Sequence, residues 1–304
     1  MQGIIYNSVG TIRIAPKFKS EMVTQVLLGS IVKILGEKKE WKQIESSDGY
    51  TGWISGSVKV LNDIELQSYI SMPKLIVTSI YTHSYEEPNE NSLPVSDLVI
   101  GNILVYDEAL DISSSNGYYV VQYPDGRSAF VNNADVRVLI DWYKEITLTS
   151  DSIVNCALRF KGIPYLWGGT SSKGLDCSGL TKTVYNMHGI SLLRDASQQV
   201  TQGFLIDTKG EFSELVPGDL LFFGSKGLAY NKKNGEERVV HVGIFIGNNH
   251  YIHASDYVRI NSLNPDDELY DEFNRKRYLR TKRYIEKGKL VNVECISLES
   301  IMKK

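Results

Sequence analysis

The stretch Leu-Asp-Cys-Ser-Gly-Leu at residues 175–180 places a cysteine, Cys177, where a helix is predicted to begin. Apolar residues recur at helical spacing from there to Gly189, and a polar, glycine-rich loop precedes the stretch at 168–174. A thiol in the first turn of a helix lies near unpaired N–H groups and the positive end of the dipole. Such surroundings lower the pKa of a cysteine from about 8.5 to roughly 3.5–7.5. This context favours a nucleophile over a small buried hydrophobic side chain, the usual role of an isolated cysteine.

Two of the five histidines lie on strands that are predicted to be neighbours. His241 falls in an apolar, β-branched run at 238–247, and His253 follows twelve residues later in a short strand at 251–254. The turn at 247–249 is typical of a hairpin, which brings both imidazoles to one end of the sheet. A lone histidine in a strand is usually a core residue, but two of them downstream of a helix-start cysteine favour nucleophilic catalysis. The other three histidines are predicted to lie on the surface or in turns and are assigned no role: His83, His188 and His250.

The other two cysteines do not form a metal-binding pattern. Cys156 falls on the apolar stripe of a predicted helix at 151–161, and Cys295 lies near the C-terminus. The sequence contains no Cys-x-x-Cys and no His-x-x-x-His pair, so we expect neither a zinc site nor a disulfide framework. We expect no metal and no cofactor.

Composition and charge exclude several functional classes. The 304 residues are 42% hydrophobic and 23% charged, with a net charge of −3, which is typical of a soluble globular protein. The chain is not basic enough for a nucleic-acid partner, and no apolar run approaches the ~18–20 residues of a membrane span. The N-terminus shows neither the basic nor the apolar region of a signal peptide. We therefore expect a cytoplasmic monomer, with an exported protein that has lost its signal peptide as the alternative.

The first 140 residues contain an internal repeat. Residues 41–54 match residues 118–131, and each segment is predicted to form a strand, an Asp-Gly turn and a second strand. The tails that follow, 58–61 and 136–139, are also alike. Short strands with turns at close intervals predict two small β-barrels.

Five motifs of the C-terminal half follow one another in the order typical of a known family. They are Tyr-Leu-Trp-Gly-Gly at 165–169, Leu-Asp-Cys-Ser-Gly-Leu at 175–180, Pro-Gly-Asp-Leu-Leu-Phe-Phe at 217–223, His-Val-Gly-Ile-Phe at 241–245 and Tyr-Ile-His-Ala at 251–254. Over about residues 148–285 the chain thus resembles the NlpC-type papain-like cysteine peptidases. The resemblance implies hydrolysis of the γ-D-glutamyl bond to a diamino acid in bacterial cell-wall peptides.

The same resemblance implies a role for particular residues at the matching positions. The catalytic triad would consist of Cys177, His241 and His253, and Tyr165 would line the oxyanion region. Residues expected to contact the bound dipeptide or to form a wall of its pocket are Trp167, Asp176 and Ser178.

The two N-terminal barrels resemble bacterial SH3-like domains. Segments 11–16 and 20–29 are similar to the first barrel of a subgroup that trims free muropeptides, in which this barrel closes the far end of the active site. Residues that the resemblance assigns to the free amine of an N-terminal L-alanine are Glu21, Tyr50 and Asp195. The subgroup usually has serine after that aspartate, where this chain has Ala196, so one contact to the glutamate carboxylate is expected to be missing.

The predicted fold is thus multidomain, with two small all-β SH3-like barrels at 1–64 and 65–145 and an α+β papain-like, NlpC-type catalytic domain at 146–304. The implied enzyme is a γ-D-glutamyl-L-diamino acid endopeptidase. Its substrate would be L-Ala-γ-D-Glu-diamino acid, with either diaminopimelate or lysine, and its product L-Ala-D-Glu, as in murein peptide recycling. Three alternatives stay open: a wall-bound hydrolase of intact peptidoglycan with the barrels as anchors, a non-catalytic binding module, and an acyl- or amidotransferase with the same triad.

Overall fold

The computed structural model describes residues 1–109, 116–226, 237–286 and 288–295. These residues fold into two compact units, the first ending at Ile146 and the second beginning at Thr147. The first unit consists mainly of strands and the second combines helices with a sheet, which confirms the predicted fold class. None of the helices within the described ranges has the length and apolar character needed to span a bilayer.

The first unit begins with a seven-stranded antiparallel sheet in the order β3-β2-β6-β5-β4-β1-β7. Its strands are β1 (Gln2–Ile5), β2 (Val9–Arg13), β3 (Met22–Leu27), β4 (Ile31–Lys38), β5 (Trp41–Glu45), β6 (Thr51–Ser55) and β7 (Val58–Leu61). Alternate residues of these strands point inward, as the period of two requires. The core of this sheet is made of Ile5, Ile12, Val26, Val32, Ile44, Ile54 and Val58.

Helix α1 (Asp63–Ser71) leads from this sheet into a second seven-stranded sheet. Its strands are β8 (Lys74–Val77), β9 (Tyr81–Tyr85), β10 (Pro94–Val99), β11 (Ile103–Tyr106), β12 (Tyr118–Gln122), β13 (Ser128–Asn132) and β14 (Val136–Val138), with a 3-10 turn at Asn133–Asp135. The order β10-β9-β13-β12-β11-β8-β14 repeats that of the first sheet strand by strand. The glycines of both predicted Asp-Gly turns, Gly49 and Gly126, have positive φ angles of 77° and 97°. The internal repeat predicted from these turns is thus confirmed.

A buried polar joint connects the two sheets of the first unit. Asn102 is fully buried; its Nδ2 donates to the Ser8 carbonyl at 2.8 Å and its Oδ1 accepts from the Val99 N–H at 3.0 Å. Next to it, Leu28 packs into the core of the second sheet, and its carbonyl accepts from the Ile103 N–H at 3.0 Å. Because a buried amide without partners is costly, these bonds fix how the two sheets meet.

Helix α2 (Leu139–Glu145) ends the first unit, and the second unit contains four further helices and twelve strands within the described residues. The helices are α3 (Ser150–Leu158), α4 (Cys177–Asn186), α5 (Ala196–Gln199) and α6 (Glu272–Lys276). The strands are β15 (Thr170–Ser171), β16 (Gly174–Leu175), β17 (Ile190–Ser191), β18 (Phe204–Asp207), β19 (Leu220–Ser225), β20 (Arg238–Gly247), β21 (His250–Ser255), β22 (Tyr257–Ser262), β23 (Tyr278–Arg283), β24 (Ile285–Glu286), β25 (Lys289–Leu290) and β26 (Glu294–Cys295).

The central sheet of the second unit is antiparallel, with the order β18-β23-β19-β20-β21-β22. Helix α4 packs against β20 and β21 through Leu180 and Val184, which are fully buried, as the predicted apolar stripe requires. This packing brings the N-terminus of α4 to the strands that carry His241 and His253.

Candidate active site

Cys177 is the first residue of α4, and Asp176 is its N-cap. The Asp176 Oδ1 accepts a hydrogen bond from the Gly179 N–H at 2.7 Å, which satisfies one of the unpaired donors of the first turn. Gly179 allows the helix to approach the preceding loop closely, because a Cβ there would lie 1.9 Å from the Gly169 carbonyl oxygen. The sequence Asp-Cys-Ser-Gly therefore fixes the cysteine at the helix start, as predicted.

A buried ion pair lies directly behind this helix start. Arg194 binds the Asp176 carboxylate in bidentate fashion, with Nη1–Oδ1 and Nη2–Oδ2 distances of 3.1 and 2.5 Å, and only 2% of the Arg194 surface is exposed. Arg194 Nη1 also donates to the Ser178 hydroxyl at 3.1 Å, and the Gly168 N–H donates to Asp176 Oδ2 at 3.0 Å. Both carboxylate oxygens of Asp176 thus accept hydrogen bonds within the protein, and these bonds hold the loop, the helix start and Ser178 together. Its predicted contact with the dipeptide stays a prediction.

The protonation state of Cys177 differs from the sequence-based expectation. Burial raises the pKa of the thiol to about 12, and the Asp176 carboxylate acts in the same direction. Hydrogen bonds from the backbone N–H groups of Val242 and Ser178, and the charge of Arg194, oppose this rise without cancelling it. The predicted lowering of the pKa by the helix N-terminus is therefore wrong, because only 9% of the residue reaches solvent. Burial thus favours the neutral thiol over the thiolate, and formation of the thiolate requires a neighbouring base.

The predicted base, His241, lies on the predicted hairpin. Strands β20 and β21 pair antiparallel, and His241 Nε2 lies 2.7 Å from His253 Nδ1. His253 Nε2 in turn lies 2.9 Å from Asn261 Oδ1 on β22, and Asn261 Nδ2 donates to the Leu269 carbonyl at 3.0 Å. The backbone N–H of Val242, the residue after His241, lowers the pKa of the Cys177 thiol, which places this part of β20 close to the sulfur.

The direction of these hydrogen bonds assigns the tautomers of both histidines. Because the Asn261 amide donates to a carbonyl, its oxygen is the acceptor for a proton on His253 Nε2. His253 Nδ1 must then accept from His241 Nε2–H, which leaves Nδ1 of His241 unprotonated and able to act as a base. The sequence did not point to Asn261, whose part in the site depends on the pairing of β21 with β22.

Both imidazoles are neutral near pH 7. Burial lowers the pKa of His253 to about 4 and, together with the neighbouring His253, lowers that of His241 well below its usual value. A neutral His241 beside a neutral Cys177 can take the thiol proton when the sulfur attacks, and return it later.

We expect the protein to lose stability as the pH falls from about 6.5 towards 4. An unfolded histidine binds a proton near pH 6.5, whereas His253 in the folded state does so only near 4, so acid favours unfolding over this range. This histidine alone contributes up to about 3 kcal/mol, which is present above pH 6.5 and lost below it. Thermal unfolding at about pH 7.5 and about pH 5 measures the difference.

In the His253→Asn variant, the drop in melting temperature between the two pH values should shrink. His83→Asn, in the other unit, is the matched control and should keep the drop seen in the wild-type protein. An unchanged drop in His253→Asn would contradict the assignment of a buried neutral imidazole.

The other predicted residues of the second unit lie near this centre or on its loops. Tyr165 is half-buried, and burial, with the charge of Asp176, raises its pKa to about 12, so its hydroxyl remains a hydrogen-bond donor. Trp167 is 63% exposed. Asp195 is the half-buried N-cap of α5, next to the buried Ala196.

Residues 21 and 50 belong to the first unit. Glu21 is exposed immediately before β3, and Tyr50 is half-buried immediately before β6, in the first of the two repeated hairpins. Their predicted contact with a substrate amine stays a prediction.

Two predictions about the remaining cysteines and histidines also have an outcome. Cys156 is buried on the apolar face of α3, as predicted, and burial raises the pKa of its thiol to about 11. His188 lies in the turn after α4, also as predicted, but it is buried rather than on the surface, with Nδ1 2.8 Å from the Val184 carbonyl. The side chain of Cys295 lies outside the described part of the chain.

Comparison with known proteins gives matches to both halves of the chain. The NlpC/P60 family model matches residues 162–283, and a bacterial SH3 domain model matches residues 8–59. A γ-D-glutamyl-L-lysine dipeptidyl-peptidase from Bacillus cereus is 30% identical over 274 residues, which cover 86% of this chain and 76% of the relative. A dipeptidyl-peptidase 6 from Lysinibacillus sphaericus is 26% identical, over 89% of this chain and 94% of its own. The crystal structure of an NlpC/P60 family protein from Bacillus cereus has a TM-score of 0.76 and 25% identity, covering 94% of this chain and all of that one.

Proposed function

Since the chain belongs to the NlpC/P60 family of cysteine peptidases, we propose that it hydrolyses the γ-D-glutamyl bond to a diamino acid in cell-wall muropeptides with a free N-terminal L-alanine. The products are L-Ala-D-Glu and the diamino acid or the peptide that it begins. The observation that carries this proposal is the hydrogen-bonded row His241–His253–Asn261 beside the thiol of Cys177. The printed names of the relatives, which specify γ-D-glutamyl-L-lysine and dipeptidyl-peptidase activity, support the substrate.

The reaction begins with proton transfer from Cys177 to Nδ1 of His241 as the sulfur attacks the γ-carbonyl carbon of D-glutamate. The Cys177 backbone N–H and the Tyr165 hydroxyl stabilise the negative charge on the carbonyl oxygen. His253 keeps His241 in the required tautomer, and Asn261 does the same for His253.

The second half of the reaction returns the enzyme to its resting state. His241 gives its proton to the leaving amine, and the C–N bond breaks to leave a thioester on Cys177. A water molecule then gives a proton to His241 and attacks the thioester, which releases the dipeptide and the neutral thiol. Because burial disfavours a free thiolate, this proposal has the proton move with the attack rather than before it.

Recognition of the free amine is the part of the proposal that rests on the resemblance. Glu21, Tyr50 and Asp195 bind the L-alanine ammonium, and two carboxylates with a phenol provide charge-assisted hydrogen bonds of about 1.5–3 kcal/mol each. A peptide with a blocked amine leaves these carboxylates without their partner and is rejected. Trp167, Asp176 and Ser178 contact the dipeptide, and Asp176 also fixes the position of Cys177 as the N-cap of α4.

Mass-spectrometric cleavage of paired peptides tests the proposal. We expect the protein to cleave L-Ala-γ-D-Glu-L-Lys with a free N-terminus at least about 100-fold faster than the N-acetylated peptide, from the loss of charge-assisted contacts. The Glu21→Gln variant should reduce this preference, and Glu40→Gln, which replaces another glutamate of the first unit, should leave it unchanged. Equal cleavage of both peptides would favour a hydrolase of intact wall, and cleavage of neither would overturn the proposal.

A further inference from the structure

A polar cleft of about 390 Å³ lies beside His241 in the second unit, between the ends of β20–β22 and helix α6. Two arginines and two aspartates line it together with the catalytic histidine. The charged lining residues are Asp256, Arg259, Asp271 and Arg277. Which of these charges can meet a ligand depends on their partners within the protein.

In three of the four charged side chains, a terminal nitrogen or oxygen atom already has an ionic or hydrogen-bond partner within the protein. Asp271 accepts from the Tyr251 hydroxyl at 2.7 Å and from the Asn274 amide at 2.6 Å, and its other oxygen accepts from the Asn274 N–H at 2.9 Å. Asp256 and Arg259 form an ion pair with an Nη1–Oδ2 distance of 3.4 Å. The Asp271 carboxylate is thus bound within the protein, whereas the Asp256 side chain is 80% exposed and pairs with Arg259.

Arg277 differs from them. Its Nε donates to Asn274 Oδ1 at 2.8 Å and its guanidinium stacks over the Phe273 ring at 4.2 Å, which together fix the plane of the group. Among the residues that the structure describes, neither terminal nitrogen of Arg277 has a hydrogen-bond partner. A guanidinium that is held in place and has open terminal donors is suited to a carboxylate.

The position of Arg277 relates it to the leaving group rather than to the L-Ala-D-Glu part. His241 must deliver a proton to the leaving amine, so the leaving group lies on the His241 side of the nucleophile, where the cleft is. Arg277 and His241 line the same cleft, and the charge of Arg277 adds to the burial that lowers the pKa of both imidazoles.

We propose that this cleft binds the leaving diamino acid and that Arg277 pairs with its free α-carboxylate, so that the enzyme selects peptides that end at the diamino acid. The inference rests on the proposed function and adds the recognition of the opposite end of the substrate. With the amine contacts proposed above, the enzyme recognises both the free amine and the free carboxylate of a tripeptide substrate.

Two peptides that differ only at the C-terminus test this inference: L-Ala-γ-D-Glu-L-Lys as the free acid and as its C-terminal amide. We expect the kcat/KM of the wild-type enzyme to be at least about tenfold higher for the acid than for the amide, because a charge-assisted hydrogen bond contributes about that much to binding. In Arg277→Gln this ratio should fall close to one, and Arg277→Lys should keep part of it. Arg280→Gln, which removes an arginine paired with Glu237, is the control that should keep the full ratio.

The outcomes separate this inference from the function on which it rests. Cleavage of both peptides with a ratio that Arg277→Gln does not change would overturn the role of Arg277 and leave the proposed function standing. Cleavage of neither peptide by the wild-type enzyme would overturn both. A general loss of activity through misfolding would lower both rates and the melting temperature, whereas a lost carboxylate contact changes the ratio.

Discussion

The Cys177→Ala variant is expected to lose hydrolysis of L-Ala-γ-D-Glu-L-Lys almost completely, with kcat lowered by roughly 10⁴-fold or more. The methyl group cannot form the thioester, and the His241–His253–Asn261 row then has no proton to accept. Residual cleavage would come only from binding and from the oxyanion donors. The measurement is kcat by quantitative mass spectrometry of released L-Ala-D-Glu.

Cys156→Ala is the matched control for this experiment. Cys156 is also a buried free thiol of the second unit, but it lies on the apolar face of α3, a different helix from the one that carries Cys177. We expect this variant to keep its activity and to lose about 1 kcal/mol of stability, as for other small buried truncations. If Cys177→Ala kept the activity, or if Cys156→Ala lost it with its fold intact, the assignment of the nucleophile would be wrong.

The main parts of the candidate site could be predicted because local sequence determines them. Cys177 follows an N-cap aspartate, so the start of a single helix determines the position of its backbone. The turn at 247–249 similarly forces His241 and His253 onto neighbouring strands. Both relations depend on residues within a short distance along the chain, where turn and capping chemistry decide the conformation.

The parts that could not be predicted depend on distant packing. Asp176 and Arg194 are eighteen residues apart, and their pairing follows from how the loop before α5 meets the start of α4. The rise of the Cys177 pKa could not be predicted, because it depends on how deeply the thiol is buried in the folded protein, and no local sequence pattern indicates that. In the first unit, the Asp-Gly turns are local signals from which both barrels could be predicted. The hydrogen bond of Asn102 could not be predicted, because it depends on how the two sheets pack together.

Removal of Arg194 is expected to have the largest effect on stability, because it leaves the Asp176 carboxylate buried without its counter-charge. In Arg194→Met the free energy of unfolding should fall by about 3–5 kcal/mol, the usual cost of removing one partner of a buried ion pair. The activity of the remaining folded protein should also fall, since the same bonds place Gly168, Ser178 and the start of α4 around the nucleophile.

A double-mutant cycle distinguishes the pair from the mere loss of a large side chain. In Asp176→Leu with Arg194→Met, no charge remains buried, so we expect a substantial part of the stability lost in Arg194→Met to return. Arg280→Met breaks a pair with Glu237 whose side chains are about one-third exposed, and it should cost at most about 1 kcal/mol. Denaturant unfolding of the wild-type protein, the two single variants Asp176→Leu and Arg194→Met, and the double variant gives the coupling energy. Additive effects of the two substitutions would show that the ion pair does not hold the helix start, and that Asp176 acts through its backbone hydrogen bonds with Gly168 and Gly179.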